Sequence, residues 1–158
     1  MIYFAPASRV DAEWVGANLR AEDAEECRTA SGLEPLPCTL RAFDASREVY
    51  ALFVGRDKLD SNAAALFGVA GDGETGTVWF LATDAIRGHS LTILQRSAPW
   101  ITHLARHYPA GLHSLADIRN SLHIRWCQLA GFTLGPTVEI NGMPFRYIHR
   151  PTGVQQLV

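Results

Sequence analysis

No stretch of this chain strings together the roughly eighteen apolar residues that a membrane-spanning helix needs, so no span is expected. Cysteine is scarce and unpaired in pattern: Cys27, Cys38 and Cys127 are an odd number, with neither a CxxC motif nor a histidine-paired zinc spacing. That argues against a disulfide framework and fits a reducing compartment. Basic residues are few, 14 Lys and Arg against 16 Asp and Glu, and form no dense run, so no surface for tracking nucleic-acid phosphates is indicated. The opening residues Met1-Ile2-Tyr3-Phe4-Ala5-Pro6 lack the basic and apolar regions of a secretory signal. A soluble, cytosolic protein is expected. His103 and His107 lie four apart, but no third ligand accompanies them, and they read as two surface or boundary histidines. No metal is expected.

What the sequence does have is a core. With 158 residues and 47% hydrophobic content, it is the size of one ordinary domain, taken as residues 1–150 with a tail at 151–158. Ile2-Tyr3-Phe4 reads as a strand ended by Pro6. Ser8 and Asp11 are candidate caps for a helix carrying Trp14, Val15, Ala17 and Leu19, and a second helix runs from Arg20 to Gly32. The acids of that second helix read as a solvated face near its N-terminus. A shorter helix is expected from Thr39 to Ala45. Residues 48–54, 64–70 and 77–82 are apolar and β-rich, with turns at Gly55-Arg56-Asp57 and Gly71-Asp72-Gly73, which predicts an antiparallel meander. The next helix carries Leu91, Leu94, Ala98, Ile101, Ala105 and Tyr108 on one stripe, with a kink or restart near Ser97 because of Pro99. Toward the C-terminus, Asn141-Gly142 is a hairpin turn, and its second strand should be the last of the sheet.

The stretch from Asp117 to Phe132 organises the rest. Leu112 to Ala116 reads as a buried strand; Asn120 suits a helix N-cap and Gly131 the left-handed residue that ends the helix. Leu122, Trp126 and Leu129 form an apolar stripe read as the core face. Asn120, His123 and Cys127 share the adjacent face. The latter two have the spacing of a thiolate–imidazolium pair, although the plainer reading is a buried cysteine beside a partly buried histidine.

This unit resembles the C-terminal half of the GNAT superfamily of N-acetyltransferases. In that pattern an Asn is followed by a small residue three positions on, a Tyr at the seventh, and Gly-Phe at the eleventh and twelfth. Here Asn120, Gly131 and Phe132 match, while His123 stands at the small-residue position and Cys127 at the Tyr position. The element order agrees from end to end. The resemblance implies an α/β (α+β) acyl-CoA N-acyltransferase fold, a mixed central sheet of about six to seven strands flanked by helices. It also implies a coenzyme A loop at Arg87, Gly88, His89, Ser90, Leu91 and Thr92. There, small residues admit the pyrophosphate to helix N-terminal amides. Arg87 and Gly88 fit that pattern; Ser90 and Thr92 replace its glycine or alanine positions, and Ser90 is a candidate helix cap. Cys127 takes the place of the proton donor. Asp84 and Asp117, at the ends of neighbouring strands, are candidate bases or turn caps, and Asn120 completes the candidate catalytic set.

A narrower resemblance joins Asn18-Leu19-Arg20-Ala21-Glu22-Asp23, Ala82-Thr83-Asp84, His89-Ser90-Leu91-Thr92, Asp117-Ile118-Arg119-Asn120, Ile124-Arg125-Trp126, Leu129-Ala130-Gly131-Phe132 and Pro144-Phe145-Arg146. These look like the podoviral internal-virion-protein family, whose members are themselves GNAT-like. The resemblance implies a phage protein in the host cytoplasm at synthesis, later virion-associated. Its partners would be phage structural proteins or further copies of itself. The alternative is an active acetyl-CoA-dependent N-acetyltransferase acting on an amine.

Overall fold

A computed structural model describes residues 2–55, 62–71 and 73–151. The elements run β1 (Ile2–Pro6), α1 (Arg9–Ala17), α2 (Ala21–Ser31), α3 (Pro35–Asp44), β2 (Ser46–Val54), β3 (Ala63–Ala70), β4 (Thr75–Ala82), a single 3₁₀ turn (Asp84–Ile86), α4 (Ser90–Ala105), β5 (Gly111–Asp117), α5 (Ser121–Leu129), β6 (Thr133–Ile140) and β7 (Met143–Arg150). Arg56 and Asp57 of the first expected turn, Asp72 of the second, and residues 152–158 of the tail fall outside the described residues.

Local chemistry sets most boundaries. Ser8 and Asp11 form a reciprocal capping box that starts α1. Gly32 closes α2 in the left-handed conformation. The third helix starts at Pro35, earlier than the expected Thr39, because proline at the first helical turn forfeits an N–H that has no partner there anyway. Asn120 caps α5 by accepting from the His123 amide. Beyond its end, Gly131 N–H donates to Gln128 and Phe132 N–H to Cys127, the paired bonds of a Schellman motif. Asn141 and Gly142 both take positive φ, 51° and 81°, as a tight type I′ hairpin requires.

The seven strands form one sheet in the order β1, β2, β3, β4, β5, β7, β6. The expected meander is present, with β2, β3 and β4 pairing antiparallel. Among the described strands only β4 and β5 run parallel. β7 is the last strand among the described residues but lies inside the sheet between β5 and β6, so β6 is the edge. One face packs α4 and α5 through Ile93, Leu94, Ile101, Leu104 and Trp126. The other packs α1 and α3 through Ala12 and Val15, with Leu40 and Phe43 against them.

Two helix faces differ from expectation. The buried side of α4 is Ile93, Leu94, Ser97, Ile101, Leu104 and Ala105, whereas Leu91 is exposed. The helix runs through Pro99 without a restart; the bond that proline forfeits is the one to Gln95, which lies on the exposed side. In α5 the core face is His123, Trp126 and Cys127, while Leu129 is 42% exposed. Ser97 is the reason a polar residue sits inside: its hydroxyl accepts the Trp126 indole N–H at 2.5 Å, fastening α4 to α5.

Candidate functional site

The parallel ladder between β4 and β5 is short. Its registered pairs are Thr75 with Gly111, Gly76 with Leu112, and Thr77 with His113. β4 continues to Ala82 and β5 to Asp117, each fully paired on its other side, with β3 and β7. The two halves of the sheet therefore part after Thr77. α2 lies across the gap.

Four polar side chains on and beside α2 bind the gap's rim together. The Arg20 guanidinium donates to both carboxylate oxygens of Asp23, at 2.8 and 2.9 Å, and to Asn120 Oδ1 at 2.7 Å. The Asn120 amide donates to Asp23 Oδ1 and to Glu26 Oε2, each at 2.8 Å. Asp23 also accepts the Ala82 backbone N–H at 2.9 Å, and the Ala82 carbonyl accepts the Arg20 N–H at 2.9 Å. The end of β4 is thus satisfied by α2 in place of β5. Arg20, Asp23 and Asn120 are all buried. The acids of α2 are not simply a solvated face: Asp23 is in the interior and Glu26 is mostly covered, whereas Glu22 and Glu25 remain outside.

Glu26 Oε1 faces His123 Nδ1 at 2.8 Å. Burial works against charging this imidazole, but Glu26 and the neighbouring Cys127 outweigh it and push the His123 pKa well above its usual value. Its other nitrogen, Nε2, is buried without a hydrogen-bond partner. Glu26 and His123 line a cavity of about 240 Å³ at the gap, with Val78, Phe80 and Ser114 from the parting strands and Cys27 and Cys38 from α2 and α3. A hydrogen bond from Cys27 lowers the Cys38 pKa to about 6 against the effect of burial, with help from Ser31 and Arg41; the Cys27 thiol is pushed up correspondingly.

Apart from Asp117 and Asn120, which border one cavity, the sequence candidates fall in separate places. Cys127 is fully buried in the main core beside Trp126. Asp117 is 2% exposed; its carboxylate accepts the Arg119 backbone N–H at 2.9 Å, the turn-capping arrangement, and pairs with the Arg119 guanidinium. The Arg119 hydrogen bonds outweigh burial and hold its pKa below the usual range, which suits a fixed anion better than a base. It borders a cavity of about 250 Å³ with Glu22, Glu25 and Asn120. Asp84 lies on a different cavity, with Trp14 and Thr83, and its carboxylate pairs with Arg87 at 2.8 Å. Among the described residues no group of three or more His, Cys, Asp or Glu is placed to hold a metal, and no helix is long and apolar enough to cross a membrane.

The N-terminus of α4 is open. His89 occupies the cap position without a side-chain bond, and the first turn carries no acid. Ser90 is not the cap; its hydroxyl donates back to the Ile86 carbonyl at 3.4 Å. Gly88, with φ of 83°, has nothing within 4 Å of where a Cβ would sit. The first helical amides beyond it lack intrahelical partners. A small-residue approach to uncapped amides fits a diphosphate.

Solved structures carry the same architecture. A spermidine N-acetyltransferase from Vibrio cholerae, in complex with coenzyme A and spermine, superposes with a TM-score of 0.63 over 95% of each chain at 9% identity. The chain has the GNAT fold. An acetyltransferase of the GNAT family from Streptococcus pneumoniae gives a TM-score of 0.61 at 13% identity, covering 97% of this chain and 100% of that one. AAC(6')-Ib in complex with ribostamycin and coenzyme A gives 0.64 at 14% identity, covering 95% and 93%. No protein-family model matches the sequence, and no curated protein does.

The residues that periodicity missed are Arg20, Asp23 and Glu26. Their signal was the repeat of three, which puts them on one side of α2 next to Ala24 and Cys27.

Proposed function

We propose that the protein is an acyl-CoA-dependent N-acyltransferase acting on an amine. The observation that carries this reading is the open N-terminus of α4, reached past Gly88, on the connection leading out of the strand that borders the gap. Helix amides and the N-terminal dipole would hold the diphosphate. The gap between β4 and β5 offers an apolar channel wall of Val78 and Phe80. Bound acetyl-CoA would supply the activated thioester. The protein's part is to orient it, exclude water and manage protons.

Calorimetric titration with coenzyme A and acetyl-CoA tests this. Micromolar binding is expected. Leu91→Asp should weaken it about tenfold or more, because a carboxylate in the first turn of α4 repels the diphosphate. The same carboxylate favours the helix dipole, so the melting temperature should hold or rise. Arg87→Glu should weaken binding in the same direction. A folded, monodisperse protein that binds neither ligand would overturn the reading. That result is what the virion-component alternative predicts, with docking on phage structural proteins or self-association in place of catalysis.

A further inference from the structure

The proton donor expected at Cys127 is fully buried in the core, whereas His123, one turn earlier on α5, lines the gap cavity and carries a buried ring nitrogen with no hydrogen-bond partner. We propose that His123, held by Glu26, is the catalytic acid that protonates the departing thiolate during acyl transfer. This rests on the acyltransferase reading and assigns its leaving-group step.

Three observations carry it. First, the imidazole is nearly enclosed, its side chain 5% exposed, and Glu26 fixes it through Nδ1 at 2.8 Å, so the ring cannot swing to find another partner. Second, Nε2 is left without a partner in the interior. An N–H buried without an acceptor is unfavourable, so its presence calls for a reason, and a catalytic role is one. Third, the electrostatics fit an acid. Against burial, Glu26 and Cys127 push the ring's pKa up, which favours its charged form. The other ionisable groups nearby are Asp23, itself paired with Arg20 and hydrogen-bonded by Asn120, and the Cys27 and Cys38 sulfurs across the cavity.

The step balances. The neutral amine nitrogen bonds to the thioester carbonyl carbon, the carbon–sulfur bond breaks, and its electron pair leaves on sulfur. The Nε2 proton passes to that sulfur, giving the thiol. The proton shed by the acylated nitrogen restores the imidazolium. Throughout, Nδ1–H continues to donate to Glu26, so the ring changes charge without changing position. Glu26 is the positioning residue: by holding Nδ1–H it makes Nε2 the nitrogen that gives up the proton.

The test uses coenzyme A as probe and needs no acceptor amine. The thiol of bound coenzyme A is titrated by thiolate absorbance, with coenzyme A lacking its sulfur as the blank that subtracts Cys27, Cys38 and Cys127. In the wild type the bound thiol should titrate about one pH unit or more below its free value, since an imidazolium favours the thiolate. His123→Gln, whose amide still donates to Glu26, should return it to within about 0.3 unit of free, with affinity for the sulfur-free ligand unchanged. Glu26→Gln should give an intermediate shift. A second readout needs no variant: the Nε2 resonance of His123 should move on adding coenzyme A and not on adding the sulfur-free ligand. If coenzyme A binds but the thiol titrates alike in wild type and His123→Gln, or Nε2 is silent, the assignment of His123 falls and the acyltransferase reading stands. If coenzyme A does not bind, both fall.

Discussion

Glu48 gathers more partners than any histidine spacing announces. On β2, its carboxylate accepts from Arg106 at 2.8 Å, from His107 Nε2 at 3.0 Å and from the Tyr50 hydroxyl at 3.0 Å, while His103 stands 3.6 Å away. Burial opposes its charge, but the hydrogen bonds from His107, Arg106 and Tyr50 outweigh that and hold its pKa down at about 2. His103 and His107 therefore flank a carboxylate, a role invisible in sequence because Glu48 comes from a distant strand. The folded state binds this proton less readily than the unfolded chain, so the stabilisation is complete above the ordinary pKa of 4.5 and is lost as pH falls through about 2. Glu48→Gln should lower stability by about 1–2 kcal/mol at neutral pH, allowing for partial exposure. In urea unfolding the difference between wild type and variant should vanish near the acid end of that window. A gap that persists there would mean that the amide fails for reasons of shape, not charge.

At the level of elements, α5 was legible at its ends and misread along its side. Asn120 and Gly131 have mechanisms written into their residue types, a short acceptor side chain and a missing Cβ, and each does what that chemistry predicts. Of the expected core stripe, Trp126 is fully buried and Leu122 packs against the core, whereas Leu129 is exposed. The inward face also carries His123 and Cys127, and it can do so because α2 brings Glu26 to meet the imidazole. Leu91 was misjudged for a related reason: it stands in the first turn of α4 and is exposed, whereas Leu94, nearly a turn later, is in the core. The end of α5 offers a direct check. Gly131 sits at φ of 92°, and a Cβ there would come within 3.1 Å of Arg150 Nε, a side-chain atom able to move aside. Gly131→Ala should therefore lose about 1–2 kcal/mol, mostly from backbone strain, and Gly131→Asn noticeably less, because Asn tolerates the left-handed region. Thermal unfolding of the two variants would measure this; equal losses would move the cause from backbone to contact with Arg150.

For the molecule as a whole, the gap between β4 and β5 divides the sheet into β1 to β4 and β5 to β7, joined by a three-rung ladder and by whatever crosses above it. Element order, the meander and the final hairpin were readable from sequence, since each depends on local pattern. The crossing was not, because Arg20, Asp23 and Asn120 are brought together from opposite ends of the chain. Their network bonds α2 to the end of β4 through Ala82 and to the start of α5 through Asn120, so it acts as a strut between the halves. Removing one member leaves a charge stranded: in Asp23→Ala, Arg20 stays buried with its main partner gone. Such a break is expected to destabilise by about 3–5 kcal/mol. Replacing both, as Arg20→Met with Asp23→Leu, should recover much of that loss, since well-packed apolar pairs often equal buried ion pairs. Denaturant unfolding of the two singles and the double gives the coupling, and hydrogen exchange at the Ala82 amide reports the strut directly, because Asp23 is its acceptor. Loss of protection at Ala82 in Asp23→Ala, while the amides of β2 and β3 stay protected, would locate the effect at the gap. A loss spread evenly over the sheet would mean that Asp23 supports the core at large and that the ladder from Thr75 to Thr77 joins the halves without it.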